Sequence, residues 1–418
     1  MRSKVLILNC FIKGWNILKS LADDGFEVYG GDSRKKAPGL FSNRIMDKSR
    51  NLIYPDPKID EEAFVNDVLE YVSREKIDIL LPVNSTEMMA LARFRDKIDQ
   101  SIIFPFENYH KLLLLHDKKY FHELISGCCG NQFLPRSWSI GDHKQPIDEI
   151  LKAAGLEQLP FQSMPNFADI DGLLSSHPAL TYPLMVKTRR ATSAVGVQRV
   201  NNEKELRQIC AEHDGSDLII QENLIGRGVG ISFVRWTNPA VMYHFGHKRV
   251  REYPISGGAS TSREVWDCDN HPLLTVITDL LDKLNWHGVI MFEFKEVIRQ
   301  ENDFEYRFLE ANPRFWGSVP LAIANGVNFP VILCRAALGR DAGPVNNLKN
   351  IRARILFSDT LSLLLNIFHG RRIFYNLCDY LNFRHLRLDD IDLHDLSATR
   401  RVLRQMVSEF LRNIFRKS

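Results

Sequence analysis

A chain of 418 residues is too long for one ordinary core and reads as two or three domains. Its composition, 44% hydrophobic and 25% charged, is that of a globular protein, and a formal net charge of +3 carries no global signal for nucleic acid. Seven cysteines without a C-x-x-C pair offer neither zinc spacing nor a disulfide framework, which points to a reducing, cytoplasmic setting.

No apolar run nears the roughly 20 residues that a membrane-spanning helix needs. The start, MRSKVLILNC, reads as a first strand and not as a secretory signal. Val5 to Leu8 is a compact apolar run, and Ile17, Leu18 and Leu21 fall on one helix face that Gly25 ends. Glu27-Val28-Tyr29 opens a second strand that stops at Gly30-Gly31-Asp32, which completes a β-α-β opening. The acid there suits a dinucleotide-binding unit, but G-x-G-x-x-G is missing from NCFIKGWN, so a nicotinamide cofactor is not expected. Ala63 to Tyr71 predicts a helix, Ile77 to Val83 a parallel strand, and Asn84 to Glu87 the capped start of another helix. Ile102 and Ile103 suggest one more short strand. Residues 1 to about 110 thus predict a small doubly wound unit. Its strand ends, near Asp32 and Asn84 to Glu87, are where such sheets place ligands, although capping and turn formation explain them equally well.

Leu112 to Leu124 is an apolar helix interrupted by His116 to Lys119, and a loop-rich stretch with Pro135, Pro146, Pro160 and Pro165 follows. Tyr182 to Lys187 predicts a strand ending on a lysine, then a loop of small polar residues, Thr188 to Gly196, and a return strand, Val197 to Val200. Such an arrangement either clamps phosphates, with ammonium and loop amides, or is an ordinary hairpin. Leu218 to Asn223 is an apolar strand ending in Gln221-Glu222. Gly226, Gly228 and Gly230 then mark a chain reversal where backbone bends or is closely approached. After the strand Val241 to Phe245, the run HKRVREYPISGGAS carries Lys248, Arg249 and Arg251, either an anion site or a solvated charged edge. Leu273 to Leu284 predicts a helix.

The stretch Val289 to Ser318 holds VIMFEF and YRFLEANPRFWGS, two buried strands joined by the mostly polar residues Glu296 to Asp303. Glu310 and Asn312, two apart, point the same way, and Glu293 converges on them if the strands pair. Buried carboxylates need a partner or a metal. Two carboxylates and an amide oxygen form a hard oxygen site, the chemistry of magnesium with a nucleotide phosphate. A structural ion pair between Glu310 and Arg314 is the competing reading. In the tail, Leu361 to Phe368 and Ile373 to Leu381 predict helices, and Asp389 to Asp395 an acidic loop. Thr399 to Lys417 predicts a helix with Leu403, Met406, Val407, Phe410, Leu411 and Ile414 on one face and mostly arginine on the other. That helix either packs on its own protein or lies on an anionic membrane.

In their order, Asp117-Lys118, Lys187, Gln221 to Asn223, MFEF and FLEANPRFWGS resemble the ATP-grasp superfamily, the fold of biotin carboxylase, carbamoyl-phosphate synthetase and D-alanine–D-alanine ligase. The similarity runs from about Val5 to Leu338 and is closest to stand-alone proteins described as carboxylate–amine ligases. The resemblance implies a mixed α/β and α+β architecture in three parts. These are a Rossmann-like, doubly wound pre-ATP-grasp domain over 1–112, a two-lobed ATP-grasp domain over 113–339 with a hinge at about 221–225, and a helical extension over 340–418. It implies that Lys118, Lys187, Ser193 and Gly196 contact ATP, and that Gln221, Glu222, Asn223 and Leu224 form the adenine hinge. It further implies that Glu293, Glu310 and Asn312 hold Mg2+ or Mn2+, with Arg314, Arg249 and Arg251 on the phosphate and substrate side.

The activity implied is ATP-dependent activation of a small-molecule carboxylate as an acyl phosphate for attack by an amine. A carboxylase-like or kinase-like enzyme, or a non-catalytic ATP-binding regulator, are the alternatives, and a homo-oligomer is left open. Two departures stand out: Thr188 replaces a usual proline in the loop after Lys187, and Arg227 stands where many members place a ribose-binding acid.

Overall fold

The computed structural model describes residues 2–415 apart from 142–144, 192–195, 214–216, 256–257, 301–302, 344, 346–348 and 371–372. Its strands form three sheets. The first contains β1 (Lys4–Leu8), β2 (Glu27–Asp32), β3 (Leu52–Ile53) and β4 (Ile79–Pro82), in the order β3-β2-β1-β4 and all parallel. Val5 to Leu8 are fully buried because helices cover both faces of this sheet. The helix Ile12–Asp23 ends where Gly25 adopts φ +94°, a conformation open to glycine. The expected strand at Ile102-Ile103 is reduced to one bridge, between Ile79 and Ile103.

The second sheet holds β5 (Ser137–Ile140), β6 (Asn166–Phe167), β7 (Leu184–Thr188), β8 (Val197–Val200) and β9 (Leu218–Glu222), in the order β6-β5-β9-β7-β8. It has a core of its own, built on Trp138, Ile140, Leu184, Val186, Leu206 and Ile220. Between the first two sheets, the predicted helix Leu112–Leu124 is two helices, Tyr109–His116 and Lys118–Cys128. The break falls at Asp117, which is extended (φ −80°, ψ 117°) and caps the second helix by accepting from the Lys119 amide.

The third sheet contains β10 (Arg227–Trp236), β11 (Val241–Tyr253), β12 (Ala259–Trp266), β13 (Gly288–Gln300), β14 (Asp303–Asn312), β15 (Arg352–Arg354) and β16 (Leu386–Leu388), in the order β14-β13-β10-β11-β12-β15-β16. Its strands outrun the sequence reading. β11 continues through HKRVREY beyond the expected end at Phe245, and Glu296 is a buried member of β13, not part of the connection to β14. Glu296 is tolerated there because Lys248, Arg227 and the Tyr306 hydroxyl all donate to it.

The residues after 340 do more than form helices. β15 and β16 extend the third sheet, and the helices Leu356–Phe368 and Ile373–Leu381 form a hairpin against it. The acidic loop is a set of anchors. Asp389 pairs with Arg263, and Asp390 accepts from the Leu356 and Phe357 amides at the start of its helix. Asp392 pairs with Lys19, and Asp395 accepts from the Trp15 indole, Ser42 and the Asn43 amide. The final helix, Leu396–Phe415, then packs Ala398, Val402 and Met406 on Ile12 and Trp15. Its buried stripe shares Met406 with the expected face but runs through Ala398 and Val402. Leu403 is half-buried, Val407 is 44% exposed, and the side chains of Phe410, Leu411 and Ile414 lie outside the described residues.

Asp395→Ala leaves the buried Trp15 N–H without an acceptor and should lower unfolding free energy by about 2–3 kcal/mol. Urea denaturation checks this: the midpoint falls with an unchanged slope, and an unchanged midpoint would show that the tail is not held by this contact.

Candidate active site

β13 and β14 pair antiparallel with Glu293 directly opposite Glu310. Asn312, two residues on, donates through Nδ2 to Glu310 Oε1 at 3.2 Å, so both side chains share a face and the Asn312 Oδ1 remains as a third oxygen. The expected convergence of these three residues is thus met in the geometry. Two carboxylates directly opposite each other repel, and cations surround them. Lys118 Nζ stands 3.7 Å from Glu310 Oε2, and Arg249 contacts Glu293 Oε2 directly. Burial pushes the Glu293 carboxyl above its ordinary range, against the pull of Arg249. Burial acts the same way on Glu310, but Lys118 and Lys187 outweigh it and hold that carboxyl below its ordinary range. One acid of the pair is thus biased towards ionisation and the other against it, as expected for two carboxylates sharing a site.

Arg249 lies on β11 and must cross β10 to reach Glu293 on β13. The alternate glycines make that crossing possible. A Cβ on Gly228 would stand 2.7 Å from Arg249 Cδ, and one on Gly230 would stand 2.3 Å from the His247 ring. These glycines are inside β10, not in a chain reversal, and their role is close approach.

Arg251 does not join this group. A bulge at β11 between Arg249 and Arg251 breaks the side-chain alternation. Arg251 is buried against Asp359 and Asp379 of the tail helices, at 2.7 and 2.6 Å. The substrate-side role implied for it is therefore corrected to a structural one.

On the second sheet, Lys187 closes β7 with its Nζ 2.6 Å from Gln221 Oε1 on β9, and Gln221 donates onward to Ser137. Burial lowers the Lys187 ammonium to about 8, partly offset by Glu310. Lys118 Nζ donates to the Ala191 carbonyl at 2.6 Å, which ties the loop after β7 to the helix Lys118–Cys128. Asp117 reinforces the tie by pairing with Arg189 and Arg190, at 2.8 and 3.0 Å. The arginines of that loop are thus structural. Gly196 closes the loop at φ +73°, where a Cβ would stand 2.4 Å from the Thr188 hydroxyl, and Ser193 lies outside the described residues.

All three sheets border one cavity of about 520 Å³. Met185, Val197, Leu224 and Leu309 give one part an apolar lining, beside the segment Gln221 to Asn223. Of that segment, Glu222 turns its carboxylate to the Arg136 amide and guanidinium, at 2.9 and 3.1 Å. The side-chain contact implied for Glu222 is therefore replaced by one to Arg136. Arg227, at the position of the expected ribose acid, pairs with Glu296 and Glu264. Arg314 lines the cavity but donates to Ser85 and the Phe315 carbonyl, both at 2.6 Å, so the Glu310–Arg314 ion pair is not what holds it.

Several lining residues escaped the sequence reading. These are Lys13 in the helix after β1, Arg34 just past β2, and Lys295, Glu252, His247 and Phe11, whereas Asn84 lines the cavity at the strand end already marked in the sequence. The rule that ligands gather at the carboxyl ends of parallel strands, which marked Asn84, was the available signal for Lys13 and Arg34 as well. Lys13 donates to the carbonyls of Val83 and Phe315, at 3.0 and 3.1 Å, and burial with the nearby Arg314 depresses its ammonium. Among the described residues, seven lysines and arginines line the cavity against four carboxylates, an excess that equals the formal net charge of the whole chain. A polyanion is the ligand such a lining favours.

Residues 150–250 match the family model described as D-ala D-ala ligase C-terminus. No curated protein sequence matches the chain. Among solved structures, N5-carboxyaminoimidazole synthetase from Staphylococcus aureus complexed with ADP superposes with a TM-score of 0.62 at 17% identity, over 88% of this chain and 87% of that one. The biotin carboxylase domain of Hydrogenobacter thermophilus 2-oxoglutarate carboxylase, in complex with MgADP and bicarbonate, gives 0.59 at 12% identity, over 84% and 72%. L-amino acid ligase from Bacillus licheniformis gives 0.56 at 13% identity, over 83% and 78%. At these identities the likeness is one of fold, and the fold is the one that these three structures share.

Proposed function

We propose that the chain is an ATP- and Mg2+-dependent ligase that phosphorylates a small-molecule carboxylate and passes the acyl phosphate to an amine, forming a C–N bond. The observation that carries this reading is the oxygen set of Glu293, Glu310 and Asn312 in the wall of a cavity lined by an excess of cations. Two carboxylates and an amide oxygen suit a hard divalent cation, Mg2+ or Mn2+. Such an ion, when bound, neutralises phosphate charge. The ADP and MgADP bound by two fold relatives support a nucleotide in the cavity.

The chain's own residues then divide the work. The apolar lining of Met185, Val197, Leu224 and Leu309 takes the adenine, with the backbone of Gln221 to Asn223 at its edge. Lys187 and Lys118, placed beside Glu310, grip the phosphates. Arg314, fixed by Ser85, meets the phosphoryl group in transfer, and its rigid anchoring gives the preorganisation that such stabilisation needs. Arg249 neutralises Glu293 in the structure and becomes available to the acyl phosphate once a cation takes over that carboxylate. Lys13, Arg34 and Asn84, at the strand ends of the first sheet, border the space for the carboxylate and the amine. Attack by the amine nitrogen on the acyl carbon expels phosphate, and the amine loses a proton.

Two outcomes test this. Glu310→Gln should lower kcat for ADP release in the presence of acid and amine by about a hundredfold or more, with an unchanged melting temperature. Full turnover in that variant would remove the assignment. Lys187 must be protonated to hold a phosphate, and its ammonium lies at about 8. MgADP affinity should therefore be flat below about pH 7 and fall as pH rises through about 8, by up to about tenfold per unit. Calorimetric titration against pH reads this directly. Lys187→Arg, charged throughout, should flatten the profile, and an unaltered profile would exclude Lys187 from the phosphate contact.

A further inference from the structure

The hairpin of helices Leu356–Phe368 and Ile373–Leu381 leaves an apolar surface uncovered. Phe368 is 85% exposed and Phe374 82%, and Leu364, Tyr375, Leu381 and Phe383 are also exposed. Large apolar side chains exposed together on two adjoining helices mark an interaction site. The charge around it says which partner it suits. From residue 360 to 388 the sequence has four arginines and one acid, Asp379, and that acid is buried against Arg251 and Arg352. Among the described residues, the exposed face therefore presents His369, Arg384 and His385 beside the aromatic rings and no carboxylate. A second copy would bring no carboxylate to meet Arg384, whereas a surface of anionic lipid headgroups meets both the charge and the rings.

We propose that this hairpin is a docking surface for an anionic membrane, with the aromatic side chains entering the headgroup boundary and the basic residues resting on lipid phosphates. The patch is held as a platform. Asp359 and Asp379 beneath it pair with Arg251, and Arg354 pairs with Asp359, so the hairpin is fixed to the sheet that carries Arg249 and Glu293. The docking surface is thus distinct from the final helix, whose apolar residues Ala398, Val402 and Met406 are taken up by Ile12 and Trp15. No helix among the described residues is long and apolar enough to cross a membrane, which suits contact in the interface plane.

Flotation of the full chain with vesicles tests the proposal. Binding to phosphatidylcholine vesicles containing about one-third phosphatidylglycerol should exceed binding to pure phosphatidylcholine by about tenfold and should weaken with salt. The double variant Phe368→Ser/Phe374→Ser should lose about tenfold in binding at an unchanged melting temperature, and Arg384→Glu should reduce the preference for anionic vesicles. Absence of flotation with anionic vesicles, or equal flotation of the double variant, overturns the proposal. So does light scattering that shows a dimer abolished by the double variant, which would assign the patch to a second copy.

Discussion

Two carboxylates placed directly opposite each other on neighbouring strands are the constraint to which the rest of the site answers. Glu293 and Glu310 repel in a half-buried setting, and the fold tolerates them because four cations are delivered from four different places. Lys118 comes from a helix, Lys187 from the second sheet, Arg249 from across β10, and Arg314 from the turn after β14. Each delivery has its own cost. Arg249 needs glycines beneath it, Lys118 needs a helix broken at Asp117, and Lys187 is left partly desolvated. The proposed binding of a metal and a nucleotide phosphate would exchange one set of these charges for another.

The tail extends this logic from the site to the fold. Its acidic residues each meet a buried partner: Asp389 meets Arg263, Asp392 meets Lys19, Asp395 meets Trp15, and Asp359 with Asp379 meets Arg251 and Arg354. Removing one member of such a pair leaves its partner buried and uncompensated, so the set holds the tail in one position more than it adds stability. The consequence is that the helices after residue 340 are tied both to the first helix of the chain and to the sheet carrying Glu293 and Glu310. An uncovered apolar face on a segment held so firmly is a displayed surface.

Local patterning made much of this visible in advance. The first strands and helix, Val197–Val200, the helix Ile373–Leu381 and the hairpin of Glu293 with Glu310 could be read from apolar runs, Gly stops and the two-residue strand period. Those signals depend only on near neighbours in the chain. The errors share a cause of the opposite kind. Glu296 and the cations of HKRVREY were left outside the strands because they are charged, but Glu296, Lys248, Arg249 and Arg251 each meet a partner far away in sequence. Arg251 looked equivalent to Arg249 because they are two apart, until a bulge separated them.

By itself the sequence determined the parallel opening unit, the paired acids on adjacent strands and the order of lysine, hinge and acid strands that resembles ATP-grasp proteins. Apolar periodicity and the spacing of a few polar residues are enough to encode those features. Only the tertiary structure decided which cations reach the acids, that Glu222 faces Arg136, that Lys13 and Arg34 join the cavity, and that the acidic loop is an anchor. The physical reason is that charge compensation acts through space. A carboxylate's partner is whichever cation the fold brings within a few ångströms, and no local pattern names it.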